Sequence, residues 1–421
     1  MSRPKIAYSG QRVPSPLRRQ LALLRRSSPF RLLFVATLGS GLGTWMATIA
    51  LTADLTARTH SPWWVSLLFI VTFLPSVVVG LAFGPLVDRL SRKLLIVNAD
   101  LVRLAVFVAL VFVHTPVAIV ALAAVAGIAN SFFRPAVLAG VPNLVAEDEL
   151  AHGTSLLQAT DWAAAAIGPV LGGVIVGSGG ADDVYWINAA TFLFSAALLL
   201  KIPARLLQSE QAITRGHWRD LADGMSAFRR SRALQTVLFA FGFAMFAAGL
   251  NNVAEIFLAE DALHRGAFGY GLLWTATGIG LVIGSLVSGS LLERRDVRIV
   301  YPLVFLPWAA GLLGAGIAPN LWVAAAAMVL AGVGNGLTFP LTVVIVQRNA
   351  PDALRGRVFT VIISAHNAVL GVAMVAAGAL TELAGPRWTY GLASVLLVLA
   401  SVTAFVLFRA RPVSGVVEHA V

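Results

Sequence analysis

Long apolar runs separated by short polar segments organise this sequence. An α-helix needs about 20 apolar residues to cross roughly 30 Å of hydrocarbon. In lipid, only helices and closed barrels satisfy their own backbone polar groups, and these runs are too long and continuous for barrel strands. We therefore predict an all-α polytopic membrane protein with twelve spans, near 30–57, 62–87, 93–113, 116–141, 154–178, 184–203, 233–259, 268–292, 298–317, 320–346, 356–383 and 387–409.

The composition agrees with a chain whose main solvent is lipid. Of the 421 residues, 58% are hydrophobic and only 12% are charged, about half the charge of a soluble domain. The net charge of +11 lies in short clusters between apolar runs, which does not favour nucleic-acid binding. The chain has no cysteine and no P-loop or hydrolase motif. We expect no enzyme activity, no cofactor and no bound metal.

The longest polar stretch between spans divides the chain into two sets of six. The N-terminal segment is basic, and the apolar run after it is longer than the core of a signal peptide, so we expect no cleavable signal. The predicted layout is a basic cytosolic arm, an N-terminal six-helix bundle, a cytosolic linker, a C-terminal six-helix bundle and a cytosolic tail, at 1–29, 30–203, 204–232, 233–410 and 411–421.

Basic residues cluster on one side of the predicted membrane topology. With the N-terminus inside, the outer loops keep only Arg58, Arg265 and Arg387, while the other clusters fall inside. Cytoplasmic loops carry the excess of Lys and Arg. We therefore expect both termini to be cytoplasmic, in a plasma membrane of the bacterial inner-membrane type.

The two sets of six spans repeat each other. "AGIANSFFRP" (126–135) matches "AGVGNGLTFP" (331–340), and "GPLVDR" (84–89) matches "GSLLER" (289–294). Both pairs are 205 residues apart. Because both sets begin on the same side, the repeat is parallel, an arrangement that transporters use around a site near the midplane.

The loop Gly84-Pro-Leu-Val-Asp88-Arg89-x-x-Arg92-Lys93 has the spacing of a known transporter signature, with Ser91 in place of the usual Gly. It resembles the loop between the second and third helices of the major facilitator superfamily, and the resemblance to that family extends across residues 30–410. The fifth span resembles the G-x-x-x-G-P-x-x-G-G pattern of the antiporter branch, with Ala164 at its first position and with Gly168, Pro169, Gly172 and Gly173.

Further local sequences resemble one branch of that superfamily. "LGTWMATIAL" in the first span and "FFRPA" in the fourth look like the twelve-helix drug-efflux group that contains macrolide pumps and the enterobactin exporter. The resemblance implies a transporter of small molecules. It also implies that the first, fourth, seventh and tenth helices line a cavity.

The charged loop between the second and third spans is interpreted as an inner latch. A carboxylate there can face the positive N-terminal end of a helix in the other half, and the resemblance places the helix after Arg355 beside it. A simple topology signal is the alternative. The predicted latch and its bracing pair comprise Gly84, Asp88, Arg89, Arg92, Lys93, Asp100, Arg103, Glu293 and Arg357.

Polar residues within the spans are candidates for proton or substrate contact, because burying them in lipid is costly. Asp100 and Arg103 are three apart, so they can pair on one helix face. Arg134 either extends to the interface or contacts an anionic substrate group or nearby carboxylate. Asp161 and His366 occupy matching repeat positions and either couple protons or make structural contacts. Asn367 follows His366.

Small residues predict how the halves meet. Asp161, Ala165, Gly168 and Gly172 share one face of the fifth span. The eighth offers Gly280, Gly284 and Ser288 at four-residue spacing, and small faces let helices approach closely. We expect these two faces to pack together across the interface between the halves.

Toward the outer ends of the spans, Glu255 is interpreted as a proton or cation site, with Asn251 and Asn252 one turn earlier. Asp54 is expected to be solvated. Aromatic and Met side chains such as Trp45 would suit an amphipathic ligand, although helix packing and lipid contact are commoner reasons for them.

The sequence therefore predicts a secondary transporter, monomeric and embedded in the lipid bilayer, that exports a small hydrophobic or amphipathic compound by alternating access. The drug-like or siderophore-like substrate would leave as protons enter down their gradient. An uptake transporter or facilitator of the same fold is one alternative, and a non-transporting receptor or scaffold is the other.

Overall fold

The computed structural model describes residues 22–82, 91–207, 231–350 and 354–409. Within these ranges the long elements are twelve helices, which we number α1 to α12 in chain order. Their bounds are Ser28–Thr59, Pro62–Ala82, Arg92–Val111, Pro116–Gly140, Leu150–Gly179, Ala181–Leu200, Arg232–Phe257, Gly266–Arg294, Val297–Gly316, Leu321–Asn349, Arg355–Ala384 and Pro386–Arg409.

Most of these helices satisfy the requirements of a membrane span. Among the described residues, eleven are long and apolar enough to cross a bilayer, and α2 contributes the shorter apolar stretch Pro62–Ser76. The twelve-span, all-α prediction is confirmed. We call the side on which α1 begins and α12 ends the terminal face, and the opposite side the distal face.

Local sequence signals explain where several helices begin. The hydroxyl oxygens of Ser27, Ser91 and Ser231 accept bonds from backbone N–H groups in the first turns of α1, α3 and α7. Asn320 caps α10 in the same way. Such caps satisfy backbone donors that lack a partner in the helix.

The predicted arm and linker differ from the structure at their edges. Residues 22–26 are helical and Leu23 is buried, so the folded chain begins before residue 30. Ala204–Leu206 form a 3-10 helix after α6, and Leu207 is buried. These short segments pack against the bundle. The arm and the linker, whose limits were set from polarity alone, were therefore predicted to be longer than the structure shows. The remainder of both segments lies outside the described residues.

Backbone geometry confirms the repeat. His60 and His264 have positive φ after α1 and after α7, and Gly180 and Gly385 have positive φ before α6 and before α12. The two members of each pair are 204 and 205 residues apart. The same turn conformation therefore recurs at matching points of the two halves.

Helix packing follows the same symmetry. In the first half α1 packs on α5 and α6, α3 on α4 and α6, and α2 on α4. In the second half α7 packs on α11 and α12, α9 on α10 and α12, and α8 on α10. Two seams join the halves, α5 against α8 and α2 against α11, and they are counterparts of each other.

The α5–α8 seam involves different faces from those that the sequence predicts. Gly173 of α5 lies against Ala267, and Gly271 of α8 lies against Pro169. Because a proline removes a donor and disturbs the helix ladder, the next N–H, that of Val170, donates across the seam to Thr275 Oγ1 at 3.2 Å. Backbone atoms thus approach closely between the halves.

The predicted faces have other partners. Gly168 and Gly172 pack on the backbone of α1 near Met46, and Gly280 and Gly284 pack on the backbone of α10. Helices α5 and α8 do meet, as predicted, but the expectation that these faces meet is wrong. Each of the two helices has small residues on two faces, one toward its own half and one toward the other.

We predict that Gly284→Val destabilises the protein by roughly 1–3 kcal/mol, because a Cβ there would meet the backbone of Val333 and Leu337 and overpacking costs this much. Gly371→Val is the matched control, since nothing lies within 4 Å of a Cβ at Gly371. Thermal unfolding in detergent measures both. Equal stability of the two variants would contradict the packing of α8 on α10.

Candidate functional site

Two cavities lie among the described helices. The larger of the two lies within the first six helices and has a volume of about 330 Å³. A row of hydroxyls on α1 lines one wall, and each of Thr44, Thr48 and Thr52 donates to the carbonyl four residues earlier. Aromatic rings line the remaining walls. They are Phe69, Phe73, Phe107, Phe133 and Phe192.

The larger cavity opens toward the terminal face. Its lining residues at the distal end, Leu51, Thr52 and Leu68, are buried, whereas Ser76 and Leu138 near the terminal face are exposed. At the distal end the halves are in contact, because Gly378 of α11 lies against Ser66 and Trp63 of α2. Contact between the halves therefore closes the distal side of the cavity, and exposed lining residues lie toward the terminal face.

An ion pair stands at the mouth of the larger cavity. Arg134 of α4 and Asp161 of α5 are 2.8 Å apart, and their side chains are 55% and 41% exposed. Of the two alternatives for Arg134, the structure shows contact with a nearby carboxylate. This pair can exchange partners with a charged ligand at little cost, because exposed ion pairs are weak.

A second ion pair is buried in the wall of the same cavity. The guanidinium of Arg103 bonds Asp100 and lies over the rings of Phe133 and Phe192. Asp100 also accepts a hydrogen bond of 2.6 Å from Ser195 of α6. The pair therefore joins α3 to α6 and contributes no net charge to the cavity.

Asp100→Asn should destabilise the protein by about 3–5 kcal/mol, because it leaves the buried Arg103 charge uncompensated. Asp161→Asn should change stability by less than about 1 kcal/mol, since its ion pair is exposed. Unfolding in detergent compares the two variants directly. If Asp161→Asn lowers the unfolding stability as much as Asp100→Asn does, burial does not determine how much each ion pair contributes to stability.

The smaller cavity, of about 150 Å³, lies between the halves, with walls from α1, α5, α7, α8, α9 and α10. Glu255 lines it and is only 2% exposed. Asn251 donates to Glu255 Oε2 at 3.0 Å, while Oε1 has no hydrogen-bond partner among the described residues. Asn252 also lines this cavity.

Four tryptophans form much of this smaller cavity. Trp45 comes from α1, Trp162 from α5, Trp274 from α8 and Trp308 from α9. Trp45 lines both cavities, and its ring centroid is 5.4 Å from that of Trp274. This tryptophan pair stands where the two cavities adjoin.

The two cavities are related by the repeat. Residues that line the larger one recur 205 positions later in the lining of the smaller one. The matching pairs include Arg103 and Trp308, Phe107 and Leu312, Ala123 and Met328, Ala126 and Ala331, and Asn130 and Asn335. Sequence reasoning missed this lining, although the asparagine shared by the aligned segments 126–135 and 331–340 was a signal for it.

His366 lies apart from these cavities. It is 4% exposed, its ring packs edge-on against Phe241 at 4.3 Å, and it hydrogen-bonds the backbone of Leu238. The linings of the two cavities include neither His366 nor Asn367. The structure does not bring His366 and Asp161 together, so their shared repeat position does not make them a pair.

Asp54 is held by partners rather than solvated, which corrects the expectation for this residue. Its carboxylate accepts from Arg58 at 2.8 Å and from the Tyr185 hydroxyl at 3.2 Å. Arg58 also donates to the carbonyl of His114. The four-residue spacing of Asp54 and Arg58 is a sequence signal for their pair, but no local pattern indicates Tyr185 or His114, which come from other parts of the first half.

Part of the predicted latch can be located. Arg92 donates to the carbonyls of Ala139 and Leu207, and Lys93 donates to that of Leu200. They thus satisfy carbonyls near the ends of α4 and α6, where helices lack internal donors. Gly84, Asp88 and Arg89 lie outside the described residues, as do the side chains of Glu293 and Arg357.

Comparison with known proteins decides the family. The family profile described as transmembrane secretion effector matches residues 19–417. The chain belongs to this family of major facilitator transporters. The resemblance inferred from the sequence is confirmed, and the protein is an integral membrane transporter whose relatives are transporters rather than enzymes.

Curated relatives match over most of their lengths at low identity. An uncharacterised transporter of this superfamily, YfiS of Bacillus subtilis, is 25% identical over 90% of this chain and 92% of its own. The enterobactin exporter EntS of Citrobacter koseri is 28% identical over 80% and 82%. The multidrug efflux pump Tap of Mycolicibacterium fortuitum is 24% identical over 92% and 97%.

Solved structures share the fold. A point mutant of the nucleoside transporter NupG superposes with a TM-score of 0.74 at 14% identity, covering 90% of this chain and all of that one. A bacterial homologue of the iron transporter ferroportin in its inward-facing state gives 0.73 at 14%, covering 94% and 100%. At these identities the likeness establishes the major facilitator fold and nothing about substrates.

Proposed function

We propose that this transporter exports small hydrophobic or amphipathic compounds in exchange for protons. The observation that carries the proposal is the larger cavity, which is lined by aromatic rings and hydroxyls and has exposed lining residues toward the terminal face. An amphipathic molecule entering from that face would find both apolar surface and polar contacts. Two of the relatives are described as exporters, and the antiporter-like pattern at Gly168 and Pro169 favours the same direction.

The terminal face is proposed to be the cytoplasmic one, because Lys and Arg concentrate on that side of the sequence topology. In this orientation the cavity would face the cytoplasm. The protein would lie in a bacterial inner membrane as a monomer. The two halves, 30–203 and 233–410, would rock against each other at the α5–α8 and α2–α11 seams. The loop of Asp88 would act as the latch that closes the cytoplasmic side.

Proton coupling is assigned to Asp161 and Glu255. Both are intramembrane carboxylates that line a cavity, and such groups are costly to retain without a function. His366, packed on Phe241, is assigned a structural role. The Arg134–Asp161 pair would open when either a proton or a charged substrate group replaces one partner.

The experiment uses purified protein in liposomes with an imposed pH gradient and a pH-sensitive dye inside. Addition of lipophilic drugs and of siderophore-like compounds, one at a time, should give proton flux opposite to substrate movement for at least one of them. Substrate movement without proton flux would replace the exporter with a facilitator. No movement across the panel would favour a receptor or scaffold.

In the same assay, Asp161→Asn and Glu255→Gln should each reduce substrate-driven proton flux by about tenfold or more, because the proton-accepting group is removed. His366→Phe should retain flux within about twofold, since the ring contact with Phe241 needs no titratable group. Loss of flux in His366→Phe, with both carboxylate variants active, would reverse the assignment.

A further inference from the structure

The smaller cavity combines one buried carboxylate with four indole rings, and none of its described lining residues is basic. The faces of tryptophan rings attract cations, more strongly than those of other aromatic residues. Glu255 lines this cavity, and its Oε1 atom is buried and has no hydrogen-bond partner among the described residues. A positively charged or hydrogen-donating ligand in the cavity would complement such a group.

The repeat shows how the two halves differ in charge. At the position where the first half has Arg103, the second half has Trp308. The larger cavity therefore has guanidinium groups, each already paired with Asp100 or Asp161. The smaller one has an indole at the equivalent place and the carboxylate of Glu255, which gives it affinity for positive charge.

The size of the smaller cavity limits the ligand. A water molecule takes up about 30 Å³ of liquid, so 150 Å³ has room for about five waters or one compact alkylammonium group. In the part of the chain that the structure describes, no group of three acidic, histidine or cysteine side chains forms a metal site. An organic ammonium suits this lining better than a metal ion.

Both cavities share Trp45 as a wall. A ligand that places its charged head beside Glu255 would therefore place its apolar body against Trp45 and Trp274, at the side where the larger cavity adjoins. This arrangement selects molecules with one compact cation and one apolar portion. Anionic catechol compounds would meet an unpaired carboxylate and no unpaired cation among the described lining residues.

We propose that Glu255 and the tryptophans Trp45, Trp162, Trp274 and Trp308 form a binding site for the ammonium head of amphipathic organic monocations. The inference rests on the proposed function and names the substrate class for it. Asn251 positions the carboxylate through its 3.0 Å hydrogen bond.

The test measures binding of benzyltrimethylammonium, a permanent cation, to the purified full chain in non-ionic detergent by equilibrium dialysis. Glu255→Gln keeps the size of the side chain and removes its charge, and should raise the dissociation constant by about tenfold or more. The matched control is Glu260→Gln, at a carboxylate in the π-helical segment Leu258–Ala262 that directly follows α7 and lines neither cavity. This variant should bind as the wild type does.

Competition identifies the recognised chemistry. Choline should displace the probe, whereas its uncharged carbon isostere dimethylbutanol and the anion dihydroxybenzoate should not. Equal displacement by choline and by dimethylbutanol, or unchanged affinity in Glu255→Gln, overturns the proposal. If Glu255→Gln does not fold, Trp162→Leu at the 40% exposed rim decides instead, and unchanged affinity there overturns the site.

Failure of this site and failure of the proposed function give different results. If the cation binds through Glu255 but crosses no liposome membrane and moves no protons, the site stands and the exporter proposal fails. If another compound drives proton flux while no cation binds at Glu255, the exporter proposal stands and the site fails.

Discussion

Close backbone contact between α5 and α8 is the interaction on which the arrangement of the two halves depends. Lipid gives apolar helices little reason to associate, so membrane helices join through close packing and hydrogen bonds. Pro169 supplies both, because it lies against Gly271 and leaves the neighbouring Val170 N–H bonded to Thr275. The counterpart seam at Gly378 holds α2 to α11. These two contacts are related by the repeat and hold the halves together.

The cavities follow from these seams. Contact between the halves near the distal face closes that side, and the larger cavity lies among the first six helices. Because the repeat supplies equivalent backbone positions, the chain can vary the side chains independently in each half. The first half has Arg103 paired with the carboxylate of Asp100. The second half has Trp308 at the equivalent position, in a cavity lined by Glu255, which has no ion-pair partner among the described residues. Structural symmetry with chemical asymmetry is a physical basis for recognising a molecule that has two unlike ends.

Hydropathy and repeat matching predicted the twelve spans and their two sets, because the bilayer imposes length and apolarity on each span. The pairing of α5 with α8 was also predicted, but not its faces. Glycine spacing predicts which helix face permits close approach, but it does not predict which helix packs there. Gly280 and Gly284 pack against α10 rather than α5. Asp161 and His366 show a second limit. Equivalent positions in a repeat lie on opposite sides of the axis, so they need not meet. Predicting the tryptophan cavity would have required the relative positions of six helices, and no local sequence pattern contains that information.

Alternating access requires the distal ends of α2 and α11 to separate, and this can be tested directly. The chain has no cysteine, so Ser66→Cys with Gly378→Cys places a single pair at positions where a Cβ on Gly378 would lie 2.7 Å from Ser66 Oγ. Transport into or out of liposomes is measured before oxidation, after oxidation and after reduction, with each single variant as control. We predict that oxidation stops transport and that reduction restores it. An oxidised, cross-linked protein that transports at the wild-type rate would contradict the account.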